Sequence, residues 1–268
     1  MATGNKWRLI IDGPQSGAVN MAVDEALLTA VDSGRSQTPV LRIYDWREPT
    51  VSIGYHQAAE QFKASGLTVV RRITGGRAVV HSAELTYSIV SPSDNPLFKD
   101  GINGTYNVIS GCIVRALSYA GIDANLAAAG RKREPRERVK AACFFAPSRY
   151  EVTIGGRKLV GSAQRRFKTA FLQHGSILFT VDQGLQESVF GQQAAAELME
   201  RMTSLSGHSG VGKPAFTQML IKGFEDGFRA SFATSNLTEA EEYIKSGLLA
   251  SCGKKGLEAE NKGLDAVA

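Results

Sequence analysis

The stretch from Arg71 to Ser88 reads RRITGGRAVVHSAELTYS. Its paired glycines, Gly75 and Gly76, close one apolar segment and open another, with Arg71, Arg72, Arg77 and His81 around them. Glycine lets a backbone approach a ligand closely, and arginines favour an anion. On composition alone the same residues also describe a tight turn between strands with solvated arginines, and two adjacent glycines do not choose between these readings.

Working outward, the texture stays strand-like. VLRIYDW, TVSIGYH, TVVRRIT, RAVVH and LTYSIV are short apolar segments separated by Pro, Gly and Ser. They read as strands of one sheet, paired antiparallel because the connections are short. Upstream, Met21, Ala22, Ala26, Leu27 and Val31 recur near helical spacing, which predicts a helix from Ser16 to Val31 with Gly34 as its stop. Asn20, Asp24 and Glu25 fall on its polar side. Downstream, Asn103 to Tyr119 is helical through Val108, Ile109, Ile113, Ala116 and Leu117, ended by Gly121. In EVTIGGRKLV, Gly155 and Gly156 join two alternating segments with the composition of a two-residue hairpin turn. The second arm continues into GSAQRR, and Phe171 to Phe179 is the next strand. Beyond Asp182 the pattern turns helical, over Phe216 to Phe232 and Leu237 to Ala250. The last residues, GKKGLEAENKGLDAVA, have little to bury and are expected to form a mobile tail.

The 268 residues are 43% hydrophobic and 21% charged, which excludes wholesale disorder, collagen and coiled coil. No apolar run approaches the ~20 residues of a membrane span. The opening MATGNKWRLIID lacks the layout of a secretory signal, so a cytoplasmic protein is expected. Cys112, Cys143 and Cys252 have neither disulfide-framework nor metal-ligand spacing. The net charge is +5, and the decapeptide from Arg131 to Lys140, RKREPRERVK, holds six basic and two acidic residues and so carries +4 of it. Without interleaved aromatics, an acidic protein or acidic small molecule is at least as good a partner as nucleic acid.

Three residues stand out chemically. Cys143, in AACFFAPSRYE, is either an inert core thiol or a nucleophile. Lys158 lies just past the hairpin turn, where an ammonium could lower the pKa of a nearby thiol. His174, a polar ring in an apolar strand, is either a satisfied core histidine or the partner of Cys143 in a cysteine hydrolase.

Four motifs in order, RRITGGRAVVHSAELTYS, CFFAPSRYEV, GRKLVGSAQRR and LQHGSIL, together with NMAVDEALL, resemble the lipoate and biotin protein ligase superfamily over about Trp7 to Phe179. Within it the chain is most similar to the cysteine-dependent octanoyltransferases. The resemblance implies an α+β fold of the class II synthetase and biotin ligase kind, a mostly antiparallel sheet flanked by helices. The catalytic domain is expected over 1–233, and a C-terminal helix and mobile tail over 234–268. Cys143 then corresponds to the acyl-accepting nucleophile and Lys158 to the residue that depresses its pKa. Substrate-binding positions fall at Arg71, Arg72, Gly75, Gly76, Arg77, His81, Gly161, Ser162, Ala163 and His174. No metal and no cofactor is implied.

The implied reaction moves an octanoyl group from octanoyl-acyl carrier protein to a lysine of a lipoyl-domain protein such as the glycine cleavage H protein. No nucleic acid or membrane takes part. Alternatives are an ATP-dependent lipoate or octanoate protein ligase, an octanoyl amidotransferase between lipoyl proteins, and a non-enzymatic binding protein for acyl carriers or lipoyl domains. Arg77, where the ligases carry a third loop glycine, and the presence of Cys143 both favour the transferase. The acyl chain needs an apolar slot, for which Val79, Val80, Leu85 and Tyr87 are expected walls, with Ala163 and Leu172 opposite. Backbone N–H groups at Gly161, Ser162 and Ala163 are candidates for an oxyanion site.

Overall fold

A computed structural model of the chain describes residues 5–127 and 150–264. The first part contains β1 (Asn5–Gln15), α1 (Gly17–Asp32), β2 (Val40–Trp46), β3 (Thr50–Ile53), β4 (Thr68–Arg71), β5 (Val79–His81), β6 (Glu84–Pro92), α2 (Gly101–Tyr119) and β7 (Asn125–Leu126). The second contains β8 (Val152–Ile154), β9 (Arg157–Lys158), β10 (Val160–Arg166), β11 (Ala170–Leu178), α3 (Gln183–Phe190), α4 (Gln192–Arg201), α5 (Lys213–Phe228), β12 (Ala230–Thr234) and α6 (Glu239–Leu264).

The main sheet has the order β10-β11-β6-β2-β1-β12. Its pairs are antiparallel from β10 to β2 and parallel from β2 through β1 to β12. Strand alternation divides its faces. Leu85, Tyr87 and Ile89 of β6 join Ile113 of α2 and Phe224 of α5 in one core. Val90 turns the other way and packs with Leu172 of β11 against Val23, Leu27 and Val31 of α1. On that second face Thr86 and Ser88 are buried polar residues, and there the site develops.

Local signals are realised closely. Ser16 caps α1, its Oγ accepting from the Val19 N–H at 3.4 Å, and Gly34 follows the helix at φ 74°. Gly155 and Gly156 take φ of 56° and 79°, the conformation a type I′ hairpin needs, with Ile154 facing Arg157.

Several expectations are corrected. The strands from Val40 to Val90 do not form one sheet: β3, β4 and β5 make a separate sheet in the order β4-β3-β5. β3 and β4 run parallel, because the chain between them crosses over and buries Phe62 with Val51, Ile53 and Val80 before returning. The hairpin arm breaks after Lys158, so that β9 pairs with β8 while β10 belongs to the main sheet. Leu159, fully buried between them, marks the crossing point. The helix predicted over Phe216 to Phe232 stops at Phe228, where Arg229 adopts φ 49°. Phe232 instead lies in β12 beside Trp7, with ring centroids 5.7 Å apart. Asn20 and Asp24 of α1 are buried rather than on a solvated face. α6 extends to Leu264, past the expected end at Ala250, and Glu241 within it pairs with Arg8 of β1.

Candidate functional site

A cleft of about 360 Å³, its open mouth included, lies where the small sheet covers the polar part of the main sheet's α1 face. Ser52, Arg72, Val79 and His81 approach from the small sheet and its loop. Thr86, Gly161 to Ala163 and His174 to Ser176 come from the main sheet, and Met21, Tyr44 and Trp46 close one side.

The glycine loop is braced from beneath. Gly54 runs so close to Gly76 that a Cβ at Gly54 would fall 2.1 Å from the Gly76 oxygen. Arg72, buried, donates to Ser52 O at 2.8 Å, Gly75 O at 3.0 Å and Arg77 O at 2.6 Å. Arg71 donates to the carbonyls of Gly54, Tyr55 and Gln57 at 3.2, 2.8 and 2.6 Å. Arg72 thus holds the glycine loop's backbone and Arg71 that of the neighbouring 54–57 turn, while Gly76 and Arg77 are exposed.

Beneath the loop lies a buried chain of polar groups. His174 Nδ1 meets Asp24 Oδ2 at 2.8 Å, and its Nε2 meets Thr74 Oγ1 at 2.7 Å. Asp24 accepts the Nδ1–H hydrogen bond, and the Thr74 hydroxyl is the partner of Nε2. Asp24 also accepts from Arg42 Nη1 at 2.9 Å, Tyr44 OH at 3.0 Å and Ser88 Oγ at 2.9 Å. Burial alone would raise the Asp24 carboxyl, but the His174 hydrogen bond and the Arg42 guanidinium outweigh it and hold it below its ordinary range. Arg42 in turn donates to Asp12 Oδ2 at 2.7 Å and Asn20 Oδ1 at 2.9 Å.

His81 occupies a second buried cluster. Its ring stacks on Trp46 with centroids 3.8 Å apart, its Nε2 lies 2.7 Å from Ser52 Oγ, and its Nδ1 meets Glu84. Glu84 accepts from Ser176 Oγ at 2.8 Å and Thr86 Oγ1 at 3.2 Å. Burial opposes its ionisation, yet His81 and these hydroxyls leave the carboxyl below its usual value.

Lys158 ends β9, two residues before β10 begins, 2% exposed, with its Nζ donating to Glu151 Oε1 at 2.5 Å. Cys143 and the basic run Arg131 to Lys140 lie outside the described residues. The chain on either side of that segment is pinned together: Ala127 N donates to Glu151 O at 2.7 Å, and Tyr150 N to Ala127 O at 3.1 Å. Cys112 is a different kind of thiol, buried in the main core with burial pushing it up to about 12.

Arg72, His81, His174 and Gly161 to Ala163 are therefore brought to one cleft, with Lys158 three residues before Gly161; Gly75 and Gly76 do not line it, although a Cβ at Gly76 would lie 4.0 Å from that of Ala163. β10 is the edge strand there, so alternate N–H groups along Gly161 to Ala163 face away from β11. Of the expected acyl walls, Val79 and Ala163 line the cleft. Leu85 and Tyr87 face the opposite core, Leu172 packs beneath α1 and Val80 sits inside the small sheet's core. The period-two rule separates Leu85 and Tyr87 from Thr86, a cleft residue, and was the usable signal. Asp24, Arg42, Tyr44, Trp46 and Glu84 were missed. Their only hint was polarity inside otherwise apolar segments.

No group of three or more His, Cys, Asp or Glu among the described residues is arranged to hold a metal ion, and no helix among them is long and apolar enough to cross a membrane.

Residues 16–229 match the lipoyl protein ligase A/B catalytic domain. The chain is 38% identical over 258 residues to octanoyltransferase LipM of Clostridioides difficile, covering 90% of this chain and 93% of that protein. It is 37% identical over 252 residues to octanoyltransferase LipM of Moorella thermoacetica, covering 88% and 91%. Among solved structures it is similar to lipoate-protein ligase A bound with ATP, with TM-score 0.76 and 26% identity over 91% of this chain and 94% of that one. It is also similar to the bipartite lipoate protein ligase of Thermoplasma acidophilum, with TM-score 0.74 and 26% identity over 91% and 92%.

Proposed function

The chain belongs to the lipoyl protein ligase A/B catalytic domain family, and from this premise we propose that it is an octanoyltransferase of protein lipoylation working through Cys143 and Lys158. The donor is octanoyl-acyl carrier protein, and the acceptor is a lysine of a lipoyl-domain protein such as the glycine cleavage H protein. The observation that carries this reading is the position of Lys158, a buried side chain held by Glu151 at the end of β9, three residues before Gly161, where β10 lines the cleft.

The chemistry follows from the groups involved. The Cys143 thiolate attacks the thioester carbonyl, the new C–S bond forms, and the carrier thiolate leaves with a proton. One thioester replaces another at little cost in free energy. The acceptor's neutral amine then attacks acyl-Cys143, the C–S bond breaks, an amide forms, and the amine's surplus proton passes to the departing thiolate or to solvent. Amide formation is downhill, so no nucleotide is consumed. Lys158 favours the thiolate at neutral pH. N–H groups of the edge strand near Gly161 to Ala163 receive the developing oxyanion. Val79, Met21 and Ala163 cover the acyl chain, whose seven methylene or methyl groups contribute about 0.8 kcal/mol each when buried.

An ATP-dependent ligase is the competing activity, and the fold is shared with a ligase bound with ATP. Intact mass measurement separates them. Incubation with octanoyl-acyl carrier protein and no ATP is expected to add one octanoyl group, and Cys143→Ala is expected to remain unmodified. A ligase would need ATP, release pyrophosphate and survive Cys143→Ala.

A further inference from the structure

The arginines around the glycine loop and along β10 differ in what they hold. Arg71 and Arg72 donate to loop carbonyls. Arg166 donates to Gln164 Oε1 at 2.9 Å and Thr105 Oγ1 at 2.6 Å. Arg165 makes no hydrogen bond and no ion pair among the described residues, and its Nε is buried without a partner. Leaving a buried donor unsatisfied is costly, more so when the group is charged. Its guanidinium lies between two rings instead, 5.4 Å from the centroid of Tyr55 and 5.8 Å from that of Phe167. Those faces hold a cation in place without neutralising it.

Position adds direction. Residues alternate along β10, so Arg165 shares the face of Ala163, opposite Leu172 as Ala163 is opposite His174. At about 3.3 Å per residue it lies ~7 Å along the strand from the cleft wall. Tyr55, beneath its guanidinium, is tied to the loop by its N–H, which donates to Thr74 O at 2.9 Å. A preorganised cation, uncompensated among the described residues, thus stands beyond the acyl site on the same strand face.

We propose that Arg165 binds the phosphate of the pantetheine arm that carries the donor's acyl thioester. This rests on the octanoyltransferase reading. A long uncharged amide chain separates the sulfur of such an arm from its phosphate, so the acyl group can occupy the cleft while the anion reaches a cation outside it. A planar guanidinium suits phosphate oxygens, and its outer nitrogens can form a charge-assisted pair there while Nε stays buried.

The test compares octanoyl-4′-phosphopantetheine with octanoyl-pantetheine as acyl donors, reading Cys143 acylation by intact mass. The wild-type protein is expected to favour the phosphorylated donor by about tenfold or more in kcat/KM. Arg165→Gln is expected to bring that ratio near one, and Arg165→Lys to leave it between the two. Thermal melting of each variant verifies folding, and loss of the preference in 0.5 M or higher salt gives a readout that needs no variant. Equal use of both donors by the wild type, or an unaltered preference in a folded Arg165→Gln protein, overturns the phosphate site while the transferase reading stands. Acylation from neither donor overturns both.

Discussion

His174 Nδ1 lies 2.8 Å from Asp24 Oδ2, although the two residues are 150 positions apart in the chain. Through the other nitrogen the same ring reaches Thr74, so one histidine links a carboxylate buried in α1 to the residue just before the loop glycines. Thr74→Val removes the hydrogen-bond partner of Nε2 without changing side-chain shape. It is expected to lower stability by about 1–3 kcal/mol, the cost of an unsatisfied buried nitrogen, and to raise KM for octanoyl thioesters more than it lowers kcat. Urea unfolding and donor-dependent acylation kinetics measure the two effects.

Asp24 and Glu84 both have carboxyls held below their ordinary values in the folded chain. Their ionised forms therefore stabilise the fold above the unfolded pKa values of about 4, and that contribution is lost as pH falls through the lower folded values. Stability is expected to be level near neutrality and to decline below about pH 4. Asp24→Asn removes one of the two carboxylates paired with Arg42 and leaves Asp12, which costs about 1.5–3 kcal/mol at pH 7, and it flattens the acid decline. Urea midpoints from pH 7 to pH 3 on both proteins display the difference; parallel curves would assign the acid sensitivity elsewhere.

Lys158→Met tests the proposed thiol activation. If Lys158 favours the Cys143 thiolate, the pH at which iodoacetamide half-modifies Cys143 rises toward the ordinary ~8.5, and acylation at pH 7 slows by at least about tenfold. A thiol that titrates identically in both proteins argues against that role.

The basic run tests docking. Reversing Arg131, Lys132 and Arg133 to Glu is expected to raise KM for octanoyl-acyl carrier protein by about tenfold at low salt while sparing small octanoyl thioesters. Added salt narrows the gap between wild type and variant. A KM for the carrier substrate that does not change removes the run from the docking surface.

Much of the architecture is legible because its signals are local. Ser16 and Gly34 bracket α1, and Gly155 with Gly156 can hardly do other than turn. Partner choice is not local: β3, β4 and β5 have the same apolar texture as β2 and β6, and only the burial of Phe62 assigns them to another sheet. The site divides the same way. Glycines and histidines in the loop and in β11 mark themselves, whereas Asp24 reads only as a residue on the polar side of its helix until Arg42, from β2, is placed beside it. Leu85 and Tyr87 looked like acyl walls because apolarity alone does not say which face of a strand a residue occupies.

β1 sits between β2 and β12, with Trp7 aligned to Phe232 and Arg8 bonded to Glu241, 233 positions later. During synthesis, then, β1 has one free edge and an uncovered indole until nearly the whole protein has left the ribosome. The sheet is begun early and sealed late. A chain released before Ala230 would present that edge to other molecules, so premature termination is expected to yield an aggregating product rather than a smaller working enzyme.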